Sequence, residues 1–160
     1  MRLYLFLLSG LLLGSGTRGF ALNSVLPKVL ESYYGVQKTL ANDKLDALSA
    51  SGNALKITIE KSLSETPNKD ETQLLKDLLP YLPKLIAQKD PKTSRVTFGN
   101  ISKILVEYLK SHVEETQTVQ LFFCPMFPQG YAFWIQPKGE TLTNPYWGHE
   151  MLTCGVKRPW

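Results

Sequence analysis

Residues 24–40 read Ser24-Val25-Leu26-Pro27-Lys28-Val29-Leu30-Glu31-Ser32-Tyr33-Tyr34-Gly35-Val36-Gln37-Lys38-Thr39-Leu40. Val25, Leu26, Val29, Leu30, Tyr33, Val36, Gln37 and Leu40 recur at the spacing of one helical face, and Gln37 is its only polar member. Asn23 or Ser24 supplies the N-cap, and Pro27 is tolerated in a first turn. The same periodicity returns three times downstream.

Asn42-Asp43 breaks the first helix. A second is expected from Lys44 to Leu63, with Leu45, Leu48, Leu55, Ile59 and Leu63 inward; Ser51-Gly52-Asn53 weakens its middle enough for a kink or break. The third is expected over 70–88, with Pro80 and Pro83 inside it, which should kink or split it. Asp90-Pro91 ends that helix, and a fourth runs from about Ser94 to His112. Amphipathic helices joined by short loops predict a mainly α protein, an up-down four-helix bundle.

Upstream, Met1-Arg2 precedes apolar Leu3–Leu8 and Leu11–Leu13, then small and polar residues through Thr17. This is the order of a cleavable signal peptide over 1–21, cut after Ala21, where Gly19 and Ala21 hold the −3 and −1 positions. Its apolar run is shorter than the roughly 18–20 residues of a membrane span. The mature chain, 22–160, has the length of one domain, exported to the periplasm or secreted, with no membrane span after cleavage. Without Arg2 and Arg18 the basic residues number 16 against 14 acidic, dispersed among one another. No nucleic-acid stripe results.

Downstream the composition changes. Residues 22–120 hold 25 charged side chains, whereas 121–160 hold five, together with nine of the chain's 17 aromatics. So apolar a tail is not a disordered one. The boundary falls between a helical part, 22–117, and a turn-rich part, 118–160, with short β-strands expected at Thr118–Phe123 and Tyr131–Gln136.

The chemistry lies in that tail. Cys124-Pro125-Met126, if extended, presents two sulfurs on one side. Met151-Leu152-Thr153-Cys154 places two more on one face of a helical turn, with His149 two residues earlier. Both methionines after Met1 thus lie within three positions of a cysteine. If the two elements meet, Cys124, Met126, His149, Met151 and Cys154 form a thiolate and thioether site, and such soft ligands select Cu(I) over hard cations. A competing reading is a Cys124–Cys154 disulfide, natural in an oxidising compartment, with the methionines as core fillers. The chain has no Cys-x-x-Cys, Gly-x-Ser-x-Gly or phosphate-binding loop, and its two histidines have no evident partner, so a non-enzymatic protein is expected.

Cys124-Pro125-Met126, then Trp134-Ile135, then Asn144-Pro145-Tyr146-Trp147-Gly148-His149-Glu150-Met151-Leu152-Thr153-Cys154-Gly155 resembles the motif run of a bacterial exported domain family of unknown function. Arg95-x-x-Phe98 followed by Ser102 resembles that family's last helix. The family also occurs fused to periplasmic adaptor subunits of heavy-metal efflux systems. The resemblance implies a helical domain that handles copper or another heavy metal, with Cys124, Met126, Met151 and Cys154 on family positions. It also implies a periplasmic efflux component as partner. The expected function is therefore sequestration of Cu(I) or its delivery to efflux. The alternative is a structural or interaction module stapled by the disulfide.

Overall fold

A computed structural model describes residues 24–65 and 67–160; the signal peptide expected over 1–21 lies outside the described residues. The chain is mainly helical, with a small antiparallel sheet toward its C-terminus. Among the described residues there are five α-helices: α1 (Leu26–Ala41), α2 (Leu48–Ser64), α3 (Lys69–Leu78), α4 (Leu82–Ala87) and α5 (Pro91–Ser111). None is long and apolar enough to cross a membrane.

Helix α1 buries the expected face, Gln37 included. Its own N-cap residue, Val25, makes no side-chain cap. The buried Glu71 carboxylate of α3 takes that place, with Oε1 accepting from Val25 N at 2.9 Å and Ser24 Oγ at 2.7 Å. A carboxylate there also suits the positive end of the helix dipole.

The expected break at Ser51-Gly52-Asn53 is absent, since α2 runs through it unbroken. Gly52 is a packing residue instead. A Cβ there would stand 3.0 Å from Ile86 Cγ1, so its absence lets α4 lie close against α2. The expected third helix is split, as its prolines require. A 3-10 turn at Leu79–Tyr81 carries Pro80 between α3 and α4, and Pro83 occupies the first turn of α4, where a missing N–H costs little. Five helices therefore stand where four are expected.

The sheet has β1 (Val119–Phe123) at its centre, β2 (Phe133–Pro137) on one side and β3 (Val156–Arg158) on the other. Phe122 pairs with Trp134 across β1 and β2, their rings 5.4 Å apart, and Phe123 pairs with Phe133 at 4.7 Å. Strand β2 packs on α5. Gly99 permits this approach: a Cβ there would fall 2.5 Å from the Tyr131 carbonyl oxygen. Aromatic rings continue the core from the helices to the tail. Tyr33 stacks on Phe98 at 5.1 Å, Phe98 meets Tyr146 at 5.8 Å, and Tyr146 meets Trp134 at 5.9 Å. The tail is thus part of the hydrophobic core, as its composition implies.

Candidate functional site

Strand β1 delivers Cys124. The residue follows the strand directly, and its N–H still bonds the Ala132 carbonyl at 3.0 Å, so the hairpin fixes its backbone. Its side chain is fully buried. The chain then turns at Pro125-Met126 rather than continuing extended. The alternation argument that put Cys124 and Met126 on one side therefore does not apply. Met126 is 53% exposed on the turn, and Phe127 goes inward to pack against Tyr146, the two rings tilted with centroids 4.7 Å apart.

Strand β3 delivers Cys154. Its ladder pairs Phe123 with Val156, Phe122 with Lys157 and Leu121 with Arg158. The ladder ends at Phe123 and Val156, and Cys124 and Gly155, the neighbour of Cys154, flank that last pair. Gly155 is needed here, because a Cβ would lie 2.7 Å from Trp134 Cη2. Cys154 N–H bonds the Met151 carbonyl at 3.0 Å, so Met151 to Cys154 form a tight turn just after the 3-10 turn Gly148–Met151. Met151 and Cys154 are both partly exposed. Both cysteines are free, and no disulfide joins them.

Asn144 joins the two segments. It is fully buried, and its Nδ2 donates to Cys124 Sγ at 3.2 Å and to the Cys154 carbonyl at 2.7 Å. Its Oδ1 accepts from Tyr146 N at 2.8 Å, its backbone N–H donates to the Leu152 carbonyl at 2.7 Å, and its own carbonyl accepts from Gly148 N at 3.2 Å. The preceding residue is held from α1: Gln37 Nε2 donates to the Thr143 carbonyl at 2.6 Å and to Thr143 Oγ1 at 3.0 Å. That explains the one polar member of an apolar face. Gln136 does the same from β2, its Oε1 accepting from Thr143 N at 3.0 Å and Trp134 Nε1 at 2.9 Å.

His149 lies at the rim of this region, its side chain 64% exposed. Asp43, in the left-handed region at φ 53°, accepts from His149 N at 2.8 Å and pairs with its Nδ1 at 3.0 Å. Arg95 of α5 pairs with the other oxygen of Asp43 and also donates to the Pro145 carbonyl at 3.1 Å. Partial burial pushes the Asp43 carboxyl up, but the His149 bonds and the Arg95 guanidinium outweigh this and hold it below the ordinary carboxylate value. An ionised Asp43 only accepts, so Nδ1 of His149 is the donor in this bond and Nε2 is the ring nitrogen left outside it. Carboxylate-oriented histidines of this kind are common at metal sites. Gly148, at φ 58°, has no Cβ to collide with the Asp43 carboxylate.

Phe127 and Gln129 of one segment and Tyr146, Trp147 and Glu150 of the other line a common cleft of about 300 Å³ at the N-terminus of α5. The structure thus brings the two sulfur-bearing segments together through Asn144, the β1–β3 ladder and the Phe127–Tyr146 ring contact. Among the described residues, no three His, Cys, Asp or Glu side chains gather around one point.

Asn144, Asp43, Gln37 and Gln136 as organisers were not legible in the sequence. Asn144-Pro145 reads as an ordinary turn, and Asp43 as a helix break. Two signals were available, the isolated amide of Gln37 on an otherwise apolar helical face and the place of Asn144 in the motif run 144–155. No family model matches the chain, and no curated protein or solved structure does so either.

Proposed function

We propose that this is an exported, non-enzymatic protein that binds a soft metal ion, Cu(I) foremost, as cargo for sequestration or for delivery to an efflux component. The observation that supports it is the meeting of the two cysteine segments at Asn144. Cys124 and Cys154 supply thiolates and Met151 a thioether one tight turn away. Met126 is an exposed sulfur on a turn beside Cys124, free to swing onto an incoming ion. Cys154 and Met151 are partly exposed and give the ion its way in, and His149 offers Nε2 at the rim. Thiolate and thioether donors favour Cu(I) over oxygen-seeking cations, and binding releases the thiol protons. The resemblance to the exported family that is also fused to efflux adaptors supports the same reading, with the chain acting after removal of residues 1–21. For the helices we infer the up-down bundle, with its third member broken at Leu79–Tyr81; short loops between packed neighbours such as α1 and α2 support it.

Chelator-competition titration of the reduced protein tests the metal reading. Cys124→Ser and Met151→Leu should each weaken Cu(I) binding while the helical circular dichroism stays unchanged. Unchanged affinity in both variants overturns the site.

One observation favours a second reading. Cys124 is wholly buried and its sulfur is hydrogen-bonded, as expected of a packing thiol in a structural module. Under that reading Cu(I) binds no more tightly than to an unstructured thiol, and Cys124→Ser costs stability alone.

A further inference from the structure

We infer that Asn144 is the positioning residue of the two cysteines: one buried side-chain amide holds the sulfur of Cys124 and the backbone of Cys154, and so fixes how the two thiols stand to each other. The inference deepens the metal-binding reading and rests on it for its purpose, though not for its geometry.

A primary amide has two hydrogens. Here one is spent on the Cys154 carbonyl at 2.7 Å and the other on Cys124 Sγ at 3.2 Å. Because both bonds leave one nitrogen, the sulfur and that carbonyl oxygen lie no further apart than the two bonds laid end to end. The amide itself cannot drift. Oδ1 is fixed by Tyr146 N, and the backbone of Asn144 is fixed at both its N–H and its carbonyl. Thr143, next to it, is clamped by Gln37 and Gln136 from α1 and β2. No hydrogen-bonding group of the Asn144 side chain is idle, and its burial excludes water as a competitor.

Two consequences follow. In the metal-free chain the amide engages Cys124 as a separate thiol, so drawing Cys124 Sγ into a Cys124–Cys154 disulfide competes with that bond. With metal, it presents the two thiols in a preset arrangement, and the loss of such a supporting contact typically costs about 10–100-fold in affinity.

The discriminating variant is Asn144→Ser. A serine hydroxyl can still accept from the N–H two residues on, as in an ST-turn, so the Tyr146 bond and the turn are kept. It is too short to span Cys124 and Cys154. Circular dichroism and urea unfolding establish that the variant is folded. The first readout uses reduced, metal-free protein equilibrated with glutathione. Two protein thiols and one oxidised glutathione give one protein disulfide and two reduced glutathiones, counted by mass spectrometry. The disulfide equilibrium constant should rise at least about tenfold in Asn144→Ser. An unchanged constant overturns the inference, whether or not the chain binds metal.

The second readout is Cu(I) affinity by chelator competition. Asn144→Ser should lose about 10–100-fold in otherwise wild-type protein, and should cost little in a Cys154→Ser background, where the pair it positions no longer exists. Additive losses overturn the positioning role and leave metal binding standing. Wild-type protein that takes up no Cu(I) overturns the proposed function instead, and the glutathione equilibrium still decides the role of Asn144.

Discussion

The seating of the tail on α5 depends on Gly99, and the same substitution at two glycines tests it. In Gly99→Ala the new Cβ would stand 2.5 Å from the Tyr131 carbonyl oxygen and 3.6 Å from Tyr146 Cε1, whereas real Cβ atoms essentially never come within 3.0 Å of a heavy atom. The obstacle is backbone, so either α5 or the Tyr131 segment must move. Overpacking of this kind costs about 1–3 kcal/mol, and a rigid obstacle argues for the upper end. Alanine recovers about 1 kcal/mol of helix propensity, leaving a net loss of about 2 kcal/mol. At about 4 °C per kcal/mol for a chain of this size, Tm should fall by about 8 °C. Gly35, in the middle of α1, is the control. A Cβ there meets nothing within 4 Å, so Gly35→Ala should gain about 1 kcal/mol. All three tryptophans, Trp134, Trp147 and Trp160, lie in the C-terminal part, so their fluorescence reports the tail while far-ultraviolet circular dichroism reports the helices. In Gly99→Ala the fluorescence transition in urea should come first, a departure from two-state unfolding that Gly35→Ala does not show. A Gly99→Ala protein as stable as wild type, with coincident transitions, would refute the contact between α5 and the tail.

Glu71→Ala removes the acceptor that caps α1 from α3 and should cost about 2–3 kcal/mol in urea unfolding, the scale of a lost hydrogen bond to a charged group; a loss below about 0.5 kcal/mol contradicts that role. Asp43 has its native pKa below its ordinary value of 3.8, so its contribution is complete above pH 3.8 and disappears as the pH falls through the lower native value. The stability difference between wild type and Asp43→Asn should accordingly vanish in strong acid, and a difference that grows there counts against the Arg95–Asp43–His149 linkage. At the other extreme, burial pushes Tyr33 and Tyr146 far above the ordinary value of 10.0, and pushes Tyr131 up to about 12. Their contribution is complete below pH 10 and is lost as the pH rises beyond it. Tyrosinate absorbance of the buried pair should therefore appear together with loss of circular dichroism, and ionisation of both in a folded chain would show that they are solvated.

The helices were legible because helical periodicity survives in a single strand of sequence. Val29, Tyr33, Val36 and Leu40 declare their face without a partner. Proline also speaks locally, and Pro80 split its helix as expected. Gly52 misled for the converse reason: its effect depends on Ile86, 34 positions away, and close packing against α4 outweighs its poor intrinsic propensity. The site was half legible. Residue type marked the cysteines and methionines, and Met151 to Cys154 close a turn that spacing alone could anticipate. Pro125 marks a turn in sequence as in structure, and that turn, in place of an extended segment, separates the exposed Met126 from the buried Cys124. Strand β3 was not anticipated, since three exposed residues, Val156 to Arg158, carry no alternation to read. Yet β3 is what returns Cys154 to Cys124. Asn144 could not be recognised as a link before both of its partners were placed.

X-ray absorption at the copper edge of anaerobically loaded wild-type protein bears most directly on the convergence of sulfur at this site. The expected result is one Cu(I) per chain in a shell made mainly of sulfur, with at least two sulfur scatterers that fall by one in Cys154→Ser. A shell of nitrogen and oxygen alone, or one unchanged by Cys154→Ser, would contradict it.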